Sequence, residues 1–330
     1  MSGQQNLVKK VALCRASGSS AVSAEVSKPA ASVLPGWGAF CDKVSGEWEG
    51  YEVTFTSASG SSWGECTAVE LPYAVVPDAF REWEIRLFDW QTQCSSYGSK
   101  EDGTVLFKLA RLLPTVGCEA DAATVHTVDE KTADGRESSG PIAFLPDGSY
   151  SLSWPTASAE GGQKWQVEHG LVDSSGLRIR VTLTLERPSM SAQPALTSVK
   201  VARERWDSAF EKGESLSSCG GKMRGFADDP RLVKTTIEGA WSADQHIFTP
   251  TSKGFDVVNK TVEVDRKLRE SDVNVLLPAG VWVKVGEAEG GGFAVLASWV
   301  QGEETGTSAE RVYGHDGALQ KVILTKETRR

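Results

Sequence analysis

A short glycine–tryptophan motif occurs twice in this chain, each time where an alternating, strand-like pattern begins. Gly46-Glu47-Trp48 opens the first stretch and Gly239-Ala240-Trp241 opens the second. Each stretch runs to a closing strand, and the spacing from Leu177 to Arg187 equals that from Leu319 to Arg329. Because duplication at domain length bounds the architecture before any chemistry is considered, we predict a tandem of two antiparallel β-barrels.

The chain is long enough for two domains. Its 330 residues exceed the size at which one hydrophobic core keeps growing. Pro188 and Pro194 follow the strand that ends at Arg187, and they favour a linker there. We therefore place the first barrel at residues 35–195 and the second at residues 196–330. A short helix over residues 36–44 is predicted at the first barrel entrance, and a helix from Val199 to Glu211 is predicted to open the second.

The first 34 residues differ in composition from the rest of the chain. This segment has four basic residues and one acidic residue among many Ser, Ala and Val residues. The basic residues are Lys9, Lys10, Arg15 and Lys28, and the acid is Glu25. A basic, serine-rich and acid-poor segment is typical of an organelle transit peptide. We predict that residues 1–34 are a transit-peptide-like leader that directs the protein to the chloroplast stroma, or else a disordered tail.

The overall charge restricts the classes of partner. Acidic residues number 44 against 35 basic residues, which gives a net charge of −9. An acidic protein is repelled by nucleic acid and by anionic membranes, so we expect neither as a general partner. No apolar run approaches the roughly 20 residues needed to span a bilayer, so we expect a soluble protein without a transmembrane segment.

The cysteines and histidines do not form a recognisable reactive site. No two of the six cysteines form a CxxC pair, and a redox pair of Cys94 with Cys118 is a minor alternative. The four histidines show neither HxH nor HExxH spacing, and no GxSxG is present. We predict no catalytic residue, metal or cofactor. The histidines are His126, His169, His246 and His315, and the cysteines are Cys14, Cys41, Cys66, Cys94, Cys118 and Cys219.

Two histidines and three glutamates are interpreted as structural or solvated residues rather than as catalytic ones. His169 and His315 occupy comparable places before the two closing strands, which favours a structural role at a turn. Glu47, Glu49 and Glu52 lie near the first strand. Carboxylates on an outer strand face are usually solvated, so these three are not predicted to act as acids or bases.

The segment from Pro77 to Thr92 carries the candidate partner-binding residues, which are Arg81, Trp83, Arg86 and Trp90. Tryptophan and arginine dominate the energetics of protein interfaces. The alternation of Trp83, Ile85 and Leu87 predicts a strand. An alternative stays open, in which Trp83 faces inward and Arg86 is merely solvated.

The Gly-x-Trp motif resembles the lipocalin signature, in which the tryptophan plugs one end of the barrel. Together with the aromatic segment and the paired closing strands, it resembles a family of plastid and cyanobacterial double-lipocalin-like proteins. That family includes a biogenesis factor that promotes assembly of the catalytic head of the chloroplast ATP synthase. The resemblance covers about Trp37 to Arg329. It implies a non-enzymatic assembly factor that binds the β and γ subunits of the head.

A second class of function stays open at this point. A lipocalin-like carrier or lyase would hold a tetrapyrrole or a lipid in one of the barrels. The content of the barrels separates the two classes. Barrels filled with side chains favour a scaffold, whereas an open apolar mouth lined by Trp and Tyr favours a carrier.

Overall fold

The computed structural model describes residues 35–57, 63–116, 124–135, 142–156, 162–189, 192–214, 223–252 and 254–330. Within these ranges the chain forms two antiparallel sheets with a few short helices, which confirms the predicted mostly β, tandem barrel-like fold. The leader at residues 1–34, and with it Cys14, lies outside the described residues, as do Cys118 and Cys219. None of the described helices is long and apolar enough to cross a membrane.

The first sheet runs in the order β5-β4-β3-β1-β10-β9-β8-β7-β6, with β2 paired to β1. Its strands are β1 (Gly46–Ser57), β2 (Cys66–Ala68), β3 (Trp90–Ser99), β4 (Thr104–Leu112), β5 (Val125–Asp134), β6 (Ala143–Phe144), β7 (Tyr150–Trp154), β8 (Gln163–Val172), β9 (Leu177–Arg187) and β10 (Ala195–Ser208).

The second sheet runs in the order β12-β11-β17-β16-β15-β14-β13. Its strands are β11 (Gly239–Thr251), β12 (Gly254–Arg266), β13 (Val273–Leu276), β14 (Val281–Glu287), β15 (Phe293–Gln301), β16 (Thr305–Tyr313) and β17 (Leu319–Arg329). The described helices are α1 (Trp37–Val44), α2 (Asp78–Glu82) and α3 (Lys234–Ile237), with 3₁₀ turns at Trp63–Glu65 and Tyr73–Val75.

Both repeats begin with the same local structure. The first strand of each sheet starts at the glycine of the motif, and a short helix ends two residues earlier. The indole N–H of Trp48 donates to the carbonyl of Val44 at 3.3 Å, and that of Trp241 donates to Ile237 at 2.9 Å. Each tryptophan thus satisfies a carbonyl at a helix end that has no partner within the helix. Short helices at both barrel entrances are confirmed.

The glycine of the motif is required by its backbone and its surroundings. Gly46 has φ 147° and Gly239 has φ 122°, a region that side-chain-bearing residues rarely adopt. A Cβ on Gly46 would lie 2.4 Å from Nε1 of Trp206, which is too close for any side chain.

The helix predicted from Val199 to Glu211 is wrong, because these residues lie in and just after β10. This strand pairs with β1 on one side and with β9 on the other, so it is central to the first sheet. Val199 and Val201 face one side of the sheet, and Ala202 and Glu204 face the other. Hydrogen bonding on both edges outweighs the helical spacing of the apolar residues.

The position of β10 also corrects the domain boundary. A division between residues 195 and 196 separates nearly all of β10 from the sheet in which it lies. The first sheet extends to Ser208, and the chain that joins it to the second sheet follows. The described residues belong to one compact unit rather than to two.

We expect a fragment of residues 35–195 to show no cooperative thermal unfolding, because it lacks the strand that joins β1 to β9. Circular dichroism on heating measures this. As a control, residues 35–214 and 215–330 keep each sheet whole, and we expect these two pieces to associate when they are expressed together. A cooperative transition in the 35–195 fragment would contradict this topology.

The two sheets pack against each other through apolar faces. Val181 and Leu183 of β9 belong to the same buried cluster as Val295 and Ala297 of β15. Trp165 of β8 contacts the second sheet directly, with its ring centroid 5.0 Å from that of Phe293 and 6.3 Å from that of Tyr313. The apolar face of β9 therefore points out of the first barrel, towards the second sheet.

The opposite face of the first sheet curls around a second buried cluster. Phe107 of β4 meets Trp154 of β7 with ring centroids 6.0 Å apart. Lys131 of β5 donates to Oε1 of Gln166 on β8 at 3.2 Å. These side chains join the two ends of the sheet, although β5 and β6 are not hydrogen-bonded to each other. The result is a barrel whose interior receives the non-apolar residues of β9.

Candidate functional site

The predicted partner-binding segment is an irregular loop between β2 and β3. Its ends are held together by the hydrogen bond from Leu71 N to Leu87 O at 2.7 Å. A 3₁₀ turn and α2 form the middle of the loop. The strand predicted over Trp83–Leu87 is wrong, because Glu84 has φ 55° and Ile85 N donates back to Phe80 O at 2.9 Å. A left-handed residue ends α2 and breaks the extended period. We call residues 70–89 the aromatic loop.

Large apolar side chains on the aromatic loop are open to solvent. Tyr73 is 73% exposed, Trp83 is 63% exposed and Ile85 is 42% exposed. The alternative in which Trp83 faces inward is therefore wrong. Single exposed apolar residues are ordinary, so it is the grouping of three on one loop of about 20 residues that makes this loop a candidate interaction surface.

Both arginines of the aromatic loop are held in place by a carboxylate and a ring. The Arg81 guanidinium pairs with Asp78 and lies 4.8 Å from the centroid of the Tyr73 ring. Arg86 donates from Nε to Glu70 at 2.8 Å, and its guanidinium lies 5.1 Å from the Phe88 ring. Arg86 is thus not merely solvated. Side chains already fixed lose less entropy on binding, so this arrangement suits a docking surface.

Trp90 lies apart from the other three candidates. It is the first residue of β3, it is half-buried, and its ring stacks on His126 with centroids 5.1 Å apart and planes at 7°. The structure therefore brings Arg81, Trp83 and Arg86 onto one loop and leaves Trp90 in the sheet.

The carboxylate of Asp89 fixes the end of the aromatic loop. It accepts hydrogen bonds from the backbone N–H of Phe226 at 2.6 Å and of Ala227 at 3.1 Å. Burial raises the pKa of Asp89 above its ordinary value, although these hydrogen bonds oppose the rise. Nothing in the sequence pattern pointed to this link, which ties the loop to the segment between the sheets.

An ion-pair network lies beside the apolar cluster in the interior of the first barrel. Glu204 of β10 accepts from Arg178 at 2.7 Å and from Arg180 at 2.7 Å, and both arginines lie on β9. The Arg178 guanidinium also lies 3.9 Å from the centroid of the Trp48 ring. Glu168 of β8 lies 3.6 Å from Arg180 and accepts from Tyr150 at 2.7 Å and from Trp154 at 2.8 Å. All of these side chains are buried.

Burial and charge act in opposite directions on this network. Burial alone would raise the pKa of the Glu204 carboxyl, but the guanidiniums of Arg178 and Arg180 outweigh it, so the pKa lies below its ordinary value. Burial raises the pKa of the Tyr150 hydroxyl well above its usual range, and the Glu168 carboxylate adds to the rise. The network is therefore charged at Glu204 and neutral at Tyr150 at physiological pH.

Two of the three glutamates near the first strand are not solvated, contrary to the prediction. Glu47 is 1% exposed, and its carboxylate accepts from Ser95 at 2.5 Å and from the backbone N–H of Glu211 at 2.8 Å. Glu52 is buried and pairs with Arg111 at 2.8 Å. The Glu47 carboxylate links β1 to β3 and to the chain after β10, and the Glu52 carboxylate links β1 to β4. These partners come from distant strands, which a local pattern does not reveal.

The second barrel holds a cavity of about 280 Å³ lined by side chains of both charge signs. Arg266 and Glu327 pair within it, as do Lys284 and Glu310 at 3.2 Å. Cavities for drug-sized ligands are usually ~300–1,000 Å³ and mostly apolar. This one is small and charged, which does not match an apolar calyx.

A larger groove of about 1540 Å³ lies between the α1 end of the first sheet and the second sheet. Seven carboxylates and three ammonium groups line it, so it repels anionic groups. The carboxylates are those of Asp42, Glu101, Asp102, Asp147, Asp173, Asp244 and Glu327, and the ammonium groups are those of Lys43, Lys100 and Lys326.

The histidines do not occupy equivalent positions. His315 is exposed in the turn between β16 and β17, as predicted. His169 is fully buried within β8 and faces the second sheet. Its predicted place at a turn is wrong, because the turn between β8 and β9 begins after Val172. Among the described residues, no three His, Cys, Asp or Glu side chains are grouped so that they could hold a metal ion.

Comparisons with known proteins found a similar fold in a solved structure but no matching family model. No protein-family model and no curated protein matches the chain. A solved structure of a protein of unknown function from the DUF3598 family of the cyanobacterium Nostoc punctiforme is similar, with a TM-score of 0.53 and 14% sequence identity. The match covers 90% of this chain and 100% of that one. At this identity the likeness concerns the fold, which is thus also present in a cyanobacterial protein.

Proposed function

We propose that this protein is a non-enzymatic assembly factor for the catalytic head of the chloroplast ATP synthase. It works in the stroma and binds the β subunit, the γ subunit or both, without a cofactor. The observation that carries the proposal is the aromatic loop, where Tyr73, Trp83 and Ile85 are exposed beside two arginines already fixed in place. The resemblance to double-lipocalin-like proteins supplies the identity of the partner.

The content of the first barrel supports a scaffold over a carrier. Paired charges and their hydrogen-bond partners occupy the interior around Glu204 and Glu168. A tetrapyrrole or a lipid needs an apolar cavity, and it brings anionic carboxylates or phosphates of its own. The acidic groove disfavours those groups, while it suits basic segments of a protein partner.

A binding assay with purified full-length protein tests the proposal. The protein should retain recombinant β or γ subunit in a pull-down. Trp83→Ala should weaken binding by roughly 30-fold, as expected for a central aromatic anchor worth about 2 kcal/mol. Arg86→Glu should weaken it as well, because it removes the Glu70 pair and the contact with Phe88.

Matched substitutions outside the loop separate docking from folding. Val258→Ala replaces an exposed apolar residue on β12, and Arg205→Glu replaces an exposed arginine on β10. Neither residue lines the acidic groove, so we expect affinity close to that of the wild type. Failure of both subunits to bind, together with a bilin or lipid that copurifies in stoichiometric amount, would replace the scaffold with the carrier. An equal loss of affinity in these two control variants would mean that the aromatic loop is not the interface.

A further inference from the structure

Arg311 carries a buried positive charge between the two sheets. Its side chain is fully buried on β16, where Val295 and Val322 flank it on the neighbouring strands. Among the described residues no carboxylate lies within ion-pair distance of it. Its one hydrogen bond there runs from Nη1 to Oγ of Ser151 on β7, at 3.2 Å. By contrast, the buried Arg178 and Arg180 each have a carboxylate partner.

The free atoms of Arg311 form one edge of the guanidinium. Nε and Nη2 have no hydrogen-bond partner within the described residues. Their N–H bonds are parallel and make the two-pronged donor that proteins use to bind anions. An arginine whose whole donor edge is unused in a buried place is unusual, because unpaired buried donors cost free energy.

His169 lies near Arg311, whose charge acts on its ring. It is the cross-strand neighbour of Ser151, and both face the second sheet. His169 is fully buried, and neither ring nitrogen has a hydrogen-bond partner among the described residues. Burial and, to a smaller extent, the Arg311 charge lower the pKa of His169 to about 3. The neutral ring has one N–H to donate.

An uncompensated charge of this kind requires a counterion. A buried charge without a partner is strongly destabilising, because it stays desolvated. Arg311 and His169 together present donors and no acceptor carboxylate. A small anion would supply the missing charge and accept from both groups.

We propose that a small monovalent anion, of the size and charge of chloride, binds between the sheets on the Nε/Nη2 edge of Arg311. The ring N–H of His169 completes its coordination, while Ser151 stays bonded to Nη1 on the other side of the guanidinium. The anion links β8 of the first sheet to β16 of the second.

Crystals of the full chain grown with bromide in place of chloride test the site directly. We expect an anomalous difference peak beside Arg311, within hydrogen-bond distance of Nε and Nη2. Density for water alone, with no anomalous signal at saturating bromide, would overturn the proposal. This measurement uses the wild-type protein and does not depend on whether a variant folds.

Thermal unfolding provides a second test in solution. At constant ionic strength, replacing gluconate by 200 mM chloride should raise the Tm of the wild type by roughly 5 °C for a site with a Kd of about 1 mM. Arg311→Met should abolish the rise. Ser153→Ala, on β7 two residues beyond Ser151, should keep the full response. A chloride response that survives in Arg311→Met would place the ion elsewhere.

Discussion

Glu204→Gln should lower the free energy of unfolding by about 3–5 kcal/mol, the usual cost of breaking a buried ion pair by removing one partner. Gln keeps the shape of the side chain but removes the negative charge that both Arg178 and Arg180 contact at 2.7 Å. Arg178 then has no carboxylate partner among the described residues. Denaturant unfolding followed by tryptophan fluorescence measures the change.

The matched control for this substitution is Glu186→Gln. Glu186 lies on β9, and its carboxylate, about half exposed, pairs with Lys164 at 2.7 Å. Exposed ion pairs contribute about 0–1 kcal/mol, so we expect little change in stability. Similar losses in the two variants would mean that solvent reaches the interior network.

Acid should destabilise the wild type more than a His169→Leu variant, by about 3 kcal/mol between pH 7 and pH 4. The imidazole binds a proton below its ordinary pKa in the unfolded chain, whereas burial and Arg311 lower the folded pKa to about 3. In this interval the unfolded state holds more protons, so stability falls as the pH falls. Urea unfolding at several pH values, in a buffer without halide, gives the slope.

His315→Leu is the control for this measurement, because His315 is exposed in a turn. The free energy of unfolding of this control should depend on pH as it does in the wild type. Arg311 is the charged group that acts on His169, and an anion bound beside them would raise the pKa of the imidazole. Chloride should therefore reduce the difference in acid destabilisation between the wild type and His169→Leu. A His169→Leu variant with an unchanged slope would contradict the lowered pKa.

Much of the strand pattern was accessible from the residues alone. The Gly-x-Trp motifs mark the first residue of β1 and of β11, and the alternation from Leu177 to Arg187 matches β9. Alternation shows that a strand has two different faces, but it does not show what covers each one. The apolar face of β9 packs on the second sheet, and the charged face lies inside the barrel. Which element covers each face of β9 depends on how the two sheets pack, and the sequence of one strand does not show it.

The sequence predicted the aromatic loop as a candidate site, but it did not predict the loop's conformation or the buried ion pairs. Tryptophan and arginine on one segment pointed to the aromatic loop, but the left-handed Glu84 that turns Trp83 outward has no residue signature. Arg178 and Glu204 are 26 positions apart, and they meet because β10 lies beside β9. Interactions between distant strands depend on topology, and the topology was mispredicted at β10.

The apolar faces that join the two sheets make each sheet dependent on the other for solubility. A sheet released from its partner would expose the face that now holds residues such as Trp165 or Phe293. Surfaces of that kind drive association in water. A protease cut between the sheets is therefore expected to leave the two pieces bound to each other, and either piece alone is expected to aggregate.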